Sequence, residues 1–244
     1  GGALGAALYV WYRYLNNNRE VVQDSDMQSG SYLGPDFSDS EIESYLKREG
    51  ISYTKLSDEE LTEKVSELIA SEKVIGWFQG RMEFGPRALG NRSILGSPNA
   101  PGIADRINEQ IKFRERWRPF CPSLLDRVAA DILQSEHPAP YMTITFPVAE
   151  HWKDRIPEVV HEDGTARAQV VSRDTNPRYY ALIEALERHT GNGVILNTSL
   201  NRRGEPMVCS PTDALNMFYG SELQYLMMED ILIRKQAPDA ATGQ

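Results

Sequence analysis

Residues 194–206 read Val194-Ile-Leu-Asn-Thr-Ser-Leu-Asn-Arg-Arg-Gly-Glu-Pro206, so a short apolar run leads directly into small amide and hydroxyl side chains. The apolar start predicts a buried strand over 193–197, because a short apolar run bounded by turn residues suits the interior of a sheet. Ligand sites in α/β sheets gather where strands end, and amide and hydroxyl groups can hold phosphate oxygens, a ribose or a base. The residues alone leave two interpretations open, a ligand site and a cap of the following turn.

Helical and strand-like patterns alternate along the rest of the chain. Two capping boxes, Ser38 with Glu41 and Ser57 with Glu60, precede apolar helical stripes and predict the starts of two helices. Further helices are predicted at 102–111, 126–134, 177–189 and 211–219, and strands at 74–78, 119–125, 141–148, 166–172, 193–197 and 230–234. This order predicts an α/β (α+β) domain with a twisted mixed sheet of about six or seven strands flanked by helices.

The composition is that of a folded protein. Of the 244 residues, 41% are apolar and 25% are charged, which excludes a wholly disordered chain. The apolar runs are much shorter than the roughly 20 residues that a membrane-spanning helix needs. Because two cysteines cannot form a disulfide framework, we expect Cys121 and Cys209 to be reduced core residues of a cytoplasmic protein.

The charge is unevenly distributed. The chain carries a net charge of −9, which argues against nucleic acid or an anionic membrane as its partner. Residues 24–72 alone have a net charge of −9, whereas residues 81–118 have a net charge of +4. A compact cationic segment in an acidic protein indicates a site for a small polyanion.

The cationic segment begins with a loop rich in glycine and arginine, Gly80-Arg-Met-Glu-Phe-Gly-Pro-Arg-Ala-Leu-Gly-Asn-Arg-Ser-Ile-Leu95. Its glycines and its proline favour a tight, irregular backbone, from which Arg81, Arg87 and Arg92 project. Two interpretations remain open, a loop that holds a ligand and a structural turn with solvated arginines.

The cationic segment ends with Lys112-Phe-Arg-Glu-Arg-Trp-Arg-Pro-Phe120. Pro119 disfavours a helix before it, and in an extended chain Lys112, Arg114, Arg116 and Arg118 would share one face. Each neighbouring pair would then repel by roughly 2.5 kcal/mol at an effective dielectric constant of about 20, and by less when it is exposed. We therefore expect an anion to offset this repulsion, unless the segment is only a solvated charge run.

A third segment, Glu162-Asp-Gly-Thr-Ala-Arg-Ala-Gln-Val-Val171, predicts a turn at Asp-Gly followed by a strand with Arg167 and Gln169 on its polar face. An ordinary hairpin explains this segment equally well. The sequence contains neither a Walker A motif nor a GxGxxG fingerprint. A nucleotide would therefore be held by arginine and lysine side chains, of which arginine binds phosphate oxygens bidentately. No cluster of histidine and cysteine predicts a metal site.

Four ordered motifs resemble one known family. Residues 80–95, Arg118-Pro-Phe-Cys-Pro122, Asp163-Gly-Thr-Ala-Arg167 and the segment 197–206 are similar to the C-terminal domain of NodU/CmcH/TobZ-type O-carbamoyltransferases. The resemblance covers about residues 38–235 and implies a YrdC-like fold. Cys121 and Leu200 replace the alanine and phenylalanine that are common in this family, and neither change removes a polar group.

Residues 1–15 resemble the last helix of the family's other half, an ATPase-like domain of the actin/Hsp70 superfamily. We therefore expect residues 1–37 to be a terminal helix and linker of that half, and residues 38–244 to be the YrdC-like domain. The remainder of that half is expected as a partner, and the sequence leaves the oligomeric state open.

The resemblance also implies a reaction. Carbamoyl phosphate and ATP, with Mg²⁺ bound to the substrate phosphates, would yield carbamoyl-adenylate in this domain. The ATPase-like half would then use a metal of its own to transfer the carbamoyl group to a hydroxyl. Two other functions are kept as alternatives, an RNA-binding YrdC-like module and a docking domain that binds nucleotide without chemistry.

Residue by residue, Lys112, Arg118, Ser199 and Asn201 match the YrdC-type tetrad, and Arg87, Arg167 and Asn197 match further substrate-contacting positions. We expect catalytic roles for four residues and nucleotide binding by five, including Arg92 and Arg114 of the cationic segment. The expected catalytic residues are Lys112, Arg118, Ser199 and Arg87, and the expected nucleotide-binding residues are Arg167, Asn197, Asn201, Arg92 and Arg114.

Overall fold

The computed structural model describes residues 1–20, 26 and 28–235. The helices are α1 (Gly2–Tyr9, continued as a π-helix over Val10–Tyr14), α2 (Asp39–Arg48), α3 (Asp58–Ala70), α4 (Ile103–Arg106, continued as a π-helix over Ile107–Lys112), α5 (Asp126–Leu133), α6 (Glu150–Lys153), α7 (Pro177–Thr190) and α8 (Pro211–Tyr219). The strands are β1 (Thr54–Lys55), β2 (Ile75–Phe78), β3 (Arg92–Gly96), β4 (Cys121–Leu125), β5 (Phe146–Pro147), β6 (Thr165–Ala166), β7 (Gln169–Val171), β8 (Val194–Ser199), β9 (Tyr225–Met228) and β10 (Ile231–Arg234).

The main sheet is mixed. Its order is β1-β10-β9-β2-β3-β8-β4-β7, in which β2 pairs with β9 and β4 with β7 in parallel, and the other neighbours are antiparallel. Strands β5 and β6 form a separate antiparallel pair. The predicted α/β (α+β) class with a mixed sheet flanked by helices is confirmed.

Both faces of the sheet are covered, because alternate residues of its central strands point to opposite sides. On one face, Ile75 and Trp77 of β2 belong to the cluster formed with α3 and α7. On the other face, Phe78 packs in the larger cluster that includes residues of α2, α4 and α8. Strands buried on both faces read as continuous apolar runs, which is why β8 stood out in the sequence.

The strand count differs from the prediction. The eight-stranded sheet includes β3, which lies in the segment interpreted as a loop, and β9, which the sequence pattern did not reveal. The predicted strand over 141–148 is reduced to Phe146–Pro147, and the positive φ of 51° at Met142 interrupts any extended run there. Helix α8 and both capping boxes are confirmed.

The third segment is not one strand. Thr165–Ala166 pairs with β5, whereas Gln169–Val171 pairs with β4. Gln169 is buried, so the prediction that it shares a polar face with Arg167 is wrong. The turn is confirmed, since Gly164 has a φ of 78°.

Four further features bear on the sequence predictions. Cys121 is buried as expected, but Cys209 is exposed beside the start of α8, so its assignment to the core is wrong. No residue of α1 is buried. The predicted linker at 16–37 includes residues 21–25 and 27, which lie outside the described residues. None of the helices in the described part of the chain has the length and apolar character needed to cross a membrane.

Candidate anion-binding site

A pocket of about 100 Å³ lies where β8 ends, beside the start of β4. The loop after β2, the segment after α4 and the connection between β6 and β7 close its other sides. Its charged lining consists of Arg87, Arg114 and Arg167, and its polar lining includes Asn197 and Ser199. Among the residues that the structure describes, no carboxylate lines this pocket. The folded chain thus gathers arginines from three distant segments around one cavity.

Arg87 and Arg167 line the pocket, and neither forms an ion pair with a residue that the structure describes. Burial lowers the pKa of Arg87, and the nearby positive charge of Arg167 lowers it further. Nη2 of Arg167 donates a hydrogen bond to Sγ of Cys121 at 3.1 Å, whereas its Nε is buried without a hydrogen-bond partner among the described residues. Arg87 is exposed and Arg167 is partly buried, and two such neighbouring guanidinium groups are stabilised when an anion binds between them.

Arg114 is the third arginine of the pocket. Its Nε donates to Oδ1 of Asn108 at 2.6 Å, and its guanidinium carbon lies 4.9 Å from the centre of the Phe120 ring. Burial lowers the pKa of Arg114 to about 10, with a further contribution from the charge of Arg118. The Nη groups of Arg114 have no hydrogen-bond partner in the described part of the chain, so they can bind an anion.

Lys112, at the end of the π-helix that follows α4, does not line the pocket but contacts Ser199, which does. Its Nζ donates to the carbonyl oxygen of Ser199 at 2.7 Å, to Oγ of Ser199 at 3.1 Å and to Oδ1 of Asn201 at 2.6 Å. Oγ of Ser199 also donates to Oδ1 of Asn201 at 2.6 Å. Burial lowers the pKa of Lys112 to about 7, and the charge of Arg114 contributes. Three of the four residues of the predicted tetrad therefore form one hydrogen-bonded group.

Arg118, the fourth, lies beside the pocket. Its Nε pairs with Oε2 of Glu115 at 2.9 Å, and Oε1 of Glu115 pairs with Nη1 of Arg203 at 3.0 Å. Arg118 does not line the cavity in this structure. A bound anion could compete with Glu115 for this guanidinium, because the ion pair is partly exposed.

The prediction that four basic residues share one extended face is wrong. Lys112 ends a helix, and Phe113 turns the chain with a positive φ of 51°. Arg116 is exposed, where it pairs with Glu109 and lies 3.8 Å from Asp105. The four charges therefore spread apart, and only some of them face the pocket.

Asn197 lines the pocket, and its side chain forms hydrogen bonds with two neighbouring segments. Its Nδ2 donates to Oγ of Ser123 at 3.0 Å and to the carbonyl oxygen of Ala88 at 3.3 Å. Nε2 of Gln169 donates to the carbonyl oxygen of Leu89 at 2.8 Å. These bonds attach the loop that carries Arg87 to the end of the sheet.

Glu83 organises the same loop, and the sequence analysis did not identify it. Its carboxylate is buried, and Oε1 accepts hydrogen bonds from the backbone N–H groups of Leu89 at 2.7 Å, Asn91 at 2.8 Å and Arg92 at 3.2 Å. Burial raises the pKa of Glu83. An acidic residue isolated among arginines and glycines was the only signal available in the sequence.

Arg92 is fully buried outside the pocket. Its Nη1 donates to the carbonyl oxygen of Gln79 at 2.7 Å, and its Nη2 donates to that of Pro35 at 3.2 Å. Its guanidinium carbon lies 3.5 Å from the centre of the Phe78 ring. The structure thus gives Arg92 backbone and aromatic contacts and does not bring it together with Arg87, Arg114 and Arg167.

The arrangement is suited to phosphate-like anions. Arginine forks bind phosphate oxygens bidentately, and charges fixed in a cavity before the ligand arrives stabilise developing negative charge at little reorganisation cost. Within the described ranges, no group of three or more histidine, cysteine, aspartate or glutamate residues could hold a metal ion. The arginine-rich donor set therefore favours an anion as the ligand.

Comparison with known proteins identifies the family of this chain. A family model described as "Carbamoyltransferase C-terminus" matches residues 66–235, which include every residue of the site described above. An uncharacterized protein of Synechocystis sp. is 44% identical over 97% of this chain and 42% of its own length. Nodulation protein NolNO of Sinorhizobium fredii is 40% identical over 97% of this chain and 35% of its own length.

Among solved structures, P. abyssi Sua5 complexed with L-threonine matches with a TM-score of 0.50 and 15% identity, over 72% of this chain and 48% of that chain. This likeness shows a YrdC/Sua5-like fold. The chain spans less than half the length of the curated relatives named above. Because the family model covers more than half of its residues, the chain belongs to the carbamoyltransferase C-terminus family.

Proposed function

We propose that this domain binds carbamoyl phosphate and ATP, with their phosphate groups at the cation-lined pocket of about 100 Å³, and forms carbamoyl-adenylate. The observation that carries the proposal is the convergence of Arg87, Arg114 and Arg167 on one cavity whose described lining contains no carboxylate. Such a site is incomplete without an anion, and both substrates are rich in phosphate. The family membership supports carbamoyl transfer as the overall chemistry.

The proposed reaction has two steps. Water first cleaves carbamoyl phosphate to carbamate and inorganic phosphate. A carbamate oxygen then attacks the α-phosphorus of ATP, and the bond to pyrophosphate breaks as the new O–P bond forms. Negative charge builds up on the phosphoryl oxygens in this step, and the fixed guanidinium groups stabilise it.

Lys112 has a separate role in this proposal. Its amine is held by Ser199 and Asn201, and burial lowers its pKa to about 7 in the free protein. An arriving polyanion raises that pKa again, because an opposite charge nearby favours the protonated form. Lys112, whose Nζ donates to Ser199 and Asn201, would therefore act on a bound anion through its positive charge.

Mg²⁺ that arrives on ATP would be held by the ATP phosphates and water rather than by residues of this pocket. Mg²⁺ in nucleotide sites is bound mainly through substrate phosphates and water with one or two carboxylates. In the described lining of the pocket no carboxylate is present. The ion supplies charge neutralisation of the phosphates, and the arginines orient the same phosphates.

Pyrophosphate release from ATP in the presence of carbamoyl phosphate tests the proposal. We expect Lys112→Ala and Arg118→Ala to abolish release while the fold is retained. Arg116→Ala is the matched control, because Arg116 belongs to the same loop but is exposed and paired with Glu109. Release that is unchanged in Lys112→Ala or Arg118→Ala would remove that residue from the mechanism.

The two alternatives give different results. Calorimetry that shows ATP binding without a product would favour a nucleotide-binding docking domain. Submicromolar binding of tRNA or duplex RNA that weakens steeply with salt would favour an RNA-binding module.

We further propose that transfer of the carbamoyl group to a hydroxyl acceptor requires the remaining part found in the longer relatives. This chain alone should therefore release pyrophosphate without carbamoylating any acceptor. Mass spectrometry of acceptor mixtures incubated with the chain, ATP and carbamoyl phosphate checks this expectation, and a carbamoylated product would contradict it.

A further inference from the structure

Asn108 is a fully buried polar residue in the π-helix that leads to Lys112. It lies against the loop of residues 113–118, which is neither helix nor strand. Neither the sequence motifs nor the proposed reaction gave it a role. π-helical turns occur frequently at functional sites, and this one contains both Asn108 and Lys112.

The side chain of Asn108 directs all its bonds to that loop. Its Nδ2 donates to the carbonyl oxygens of Arg116 and Arg118, each at 3.0 Å. Its Oδ1 accepts from Nε of Arg114 at 2.6 Å. Its backbone carbonyl accepts from the backbone N–H of Arg114 at 2.9 Å. One amide thus contacts three successive basic positions of the loop.

These contacts explain why an asparagine suits the position. A side-chain amide offers two donors and one acceptor oxygen, which match the two loop carbonyls and the Nε–H of Arg114. A loop without pairing strands needs such partners for its buried carbonyl groups. Because Nε of Arg114 donates its hydrogen bond to Asn108, the Nη groups of the same guanidinium remain available to the pocket.

We propose that Asn108 is a positioning residue that holds Arg114 and its loop in the geometry that binds the anionic substrate. The inference rests on the proposed function for the nature of that substrate. Asn108 does not line the pocket, so it acts through Arg114 and through the carbonyls on either side of Trp117.

The experiment compares Asn108→Leu and Asn108→Ser with wild type in the 244-residue chain. The dissociation constant for inorganic phosphate is measured by calorimetry, and KM and kcat are measured for carbamoyl-phosphate-dependent pyrophosphate release. We expect phosphate affinity to fall roughly 10- to 100-fold in Asn108→Leu, as for other residues that orient a binding group. The loss in Asn108→Ser should be smaller, and KM should rise more than kcat falls.

Asn192→Leu is the matched control. Asn192 is also a buried asparagine whose Nδ2 donates to a backbone carbonyl, that of Arg155 at 3.4 Å, and it precedes β8 at the end opposite the pocket. It should lower the melting temperature without changing phosphate affinity. An equal loss of affinity in Asn192→Leu would mean that general destabilisation explains the Asn108 effect, and this would overturn the proposal.

A double-mutant cycle separates positioning from a merely structural role. In an Arg114→Gln background, Asn108→Ser should cause little further loss of phosphate affinity, because the group that it positions is absent. Full additivity would overturn the proposal, as would unchanged affinity in Asn108→Ser alone. Asn108→Ser keeps the test decisive if Asn108→Leu does not fold.

The Nε–H signal of Arg114 in NMR spectra gives a readout that is independent of catalysis. It should exchange slowly with solvent in wild type and rapidly in Asn108→Leu or Asn108→Ser, and unchanged exchange would overturn the proposal. If the wild-type chain releases no pyrophosphate, the proposed function is wrong. The phosphate affinity and the Nε–H exchange of Arg114 would still test the role of Asn108.

Discussion

Two groups of arginine residues in this molecule differ in whether carboxylates of the protein offset their charge. Arg178, at the start of α7, pairs with three carboxylates, with its Nε 2.6 Å from Asp58, its Nη1 3.3 Å from Glu229 and its Nη2 2.5 Å from Asp230. The arginines of the pocket, Arg87, Arg114 and Arg167, have no carboxylate partner in the described part of the chain. The charge of Arg178 is offset by carboxylates of the protein itself, whereas the charges of the pocket arginines are not.

The difference separates a structural role from a binding role. Removing one member of a neutralised, partly buried group leaves its partners without their counter-charge, so the fold loses stability. Removing one member of a repelling group relieves repulsion within the free protein, so only ligand binding suffers. The two clusters should therefore respond in opposite ways to the same substitution.

The largest expected effect is the loss of anion binding in the double variant Arg87→Gln/Arg167→Gln. Each charge-assisted hydrogen bond to an anion contributes about 1.5–3 kcal/mol, so phosphate affinity should fall by roughly three orders of magnitude. The melting temperature should stay the same or rise, because burial and mutual repulsion both disfavour the charge on Arg87. Calorimetry and thermal unfolding measure the two quantities, and a large drop in melting temperature with intact affinity would reverse the assignment.

The complementary substitution is Arg178→Gln. We expect it to lower the free energy of unfolding by about 1–2 kcal/mol, a value reduced from that of a fully buried pair because Asp58 is largely exposed. Phosphate affinity should match wild type. Denaturant unfolding gives the stability, and a Kd that rises as in the pocket variants would show that the two clusters are not functionally distinct.

The pH dependence of binding sharpens the comparison further. Since burial lowers the pKa of Lys112 to about 7, loss of the proton above that pH should weaken anion binding. Affinity should therefore be constant below pH 7 and fall by up to about tenfold per pH unit above it, until the pKa of the complex is reached. Sulfate is the probe, because its own charge does not change over this range.

Lys112→Met is the control for this pH profile. It should bind sulfate more weakly and without the decline above pH 7. Calorimetry in buffers of different ionisation enthalpy should detect proton uptake by wild type near pH 8 and none by the variant. A wild-type profile that is flat up to pH 9 would show that Lys112 is charged in the free protein.

The smallest expected effect is that of Cys121→Ala. Cys121 lines the pocket beside Arg167 but supplies no charge to it. The substitution should cost about 1 kcal/mol of stability through a small cavity and change pyrophosphate release by less than about threefold. Steady-state kinetics and denaturant unfolding check this, and a loss of activity comparable to that of Lys112→Ala would give the thiol a chemical role.

Much of the fold could be predicted from local pattern. The capping boxes at Ser38 and Ser57 and the apolar run of β8 carry their signals within a few residues. Strand β3 could not be found in this way, because it begins with Arg92, whose burial depends on carbonyl groups of Gln79 and Pro35 far along the chain.

The site divides in the same manner. The sequence by itself determined where the cationic segment and the polar strand end lie, and these predicted a site for a phosphate-rich ligand, because residue type fixes charge and hydrogen-bonding capacity. Only the tertiary structure decided that Arg87, Arg114 and Arg167 converge while Arg92 and Arg116 do not, and that Glu83 and Asn108 hold the loops in place. The physical reason is that loop conformation depends on hydrogen bonds between residues distant in sequence, and no local pattern records which backbone groups a buried carboxylate or amide will meet.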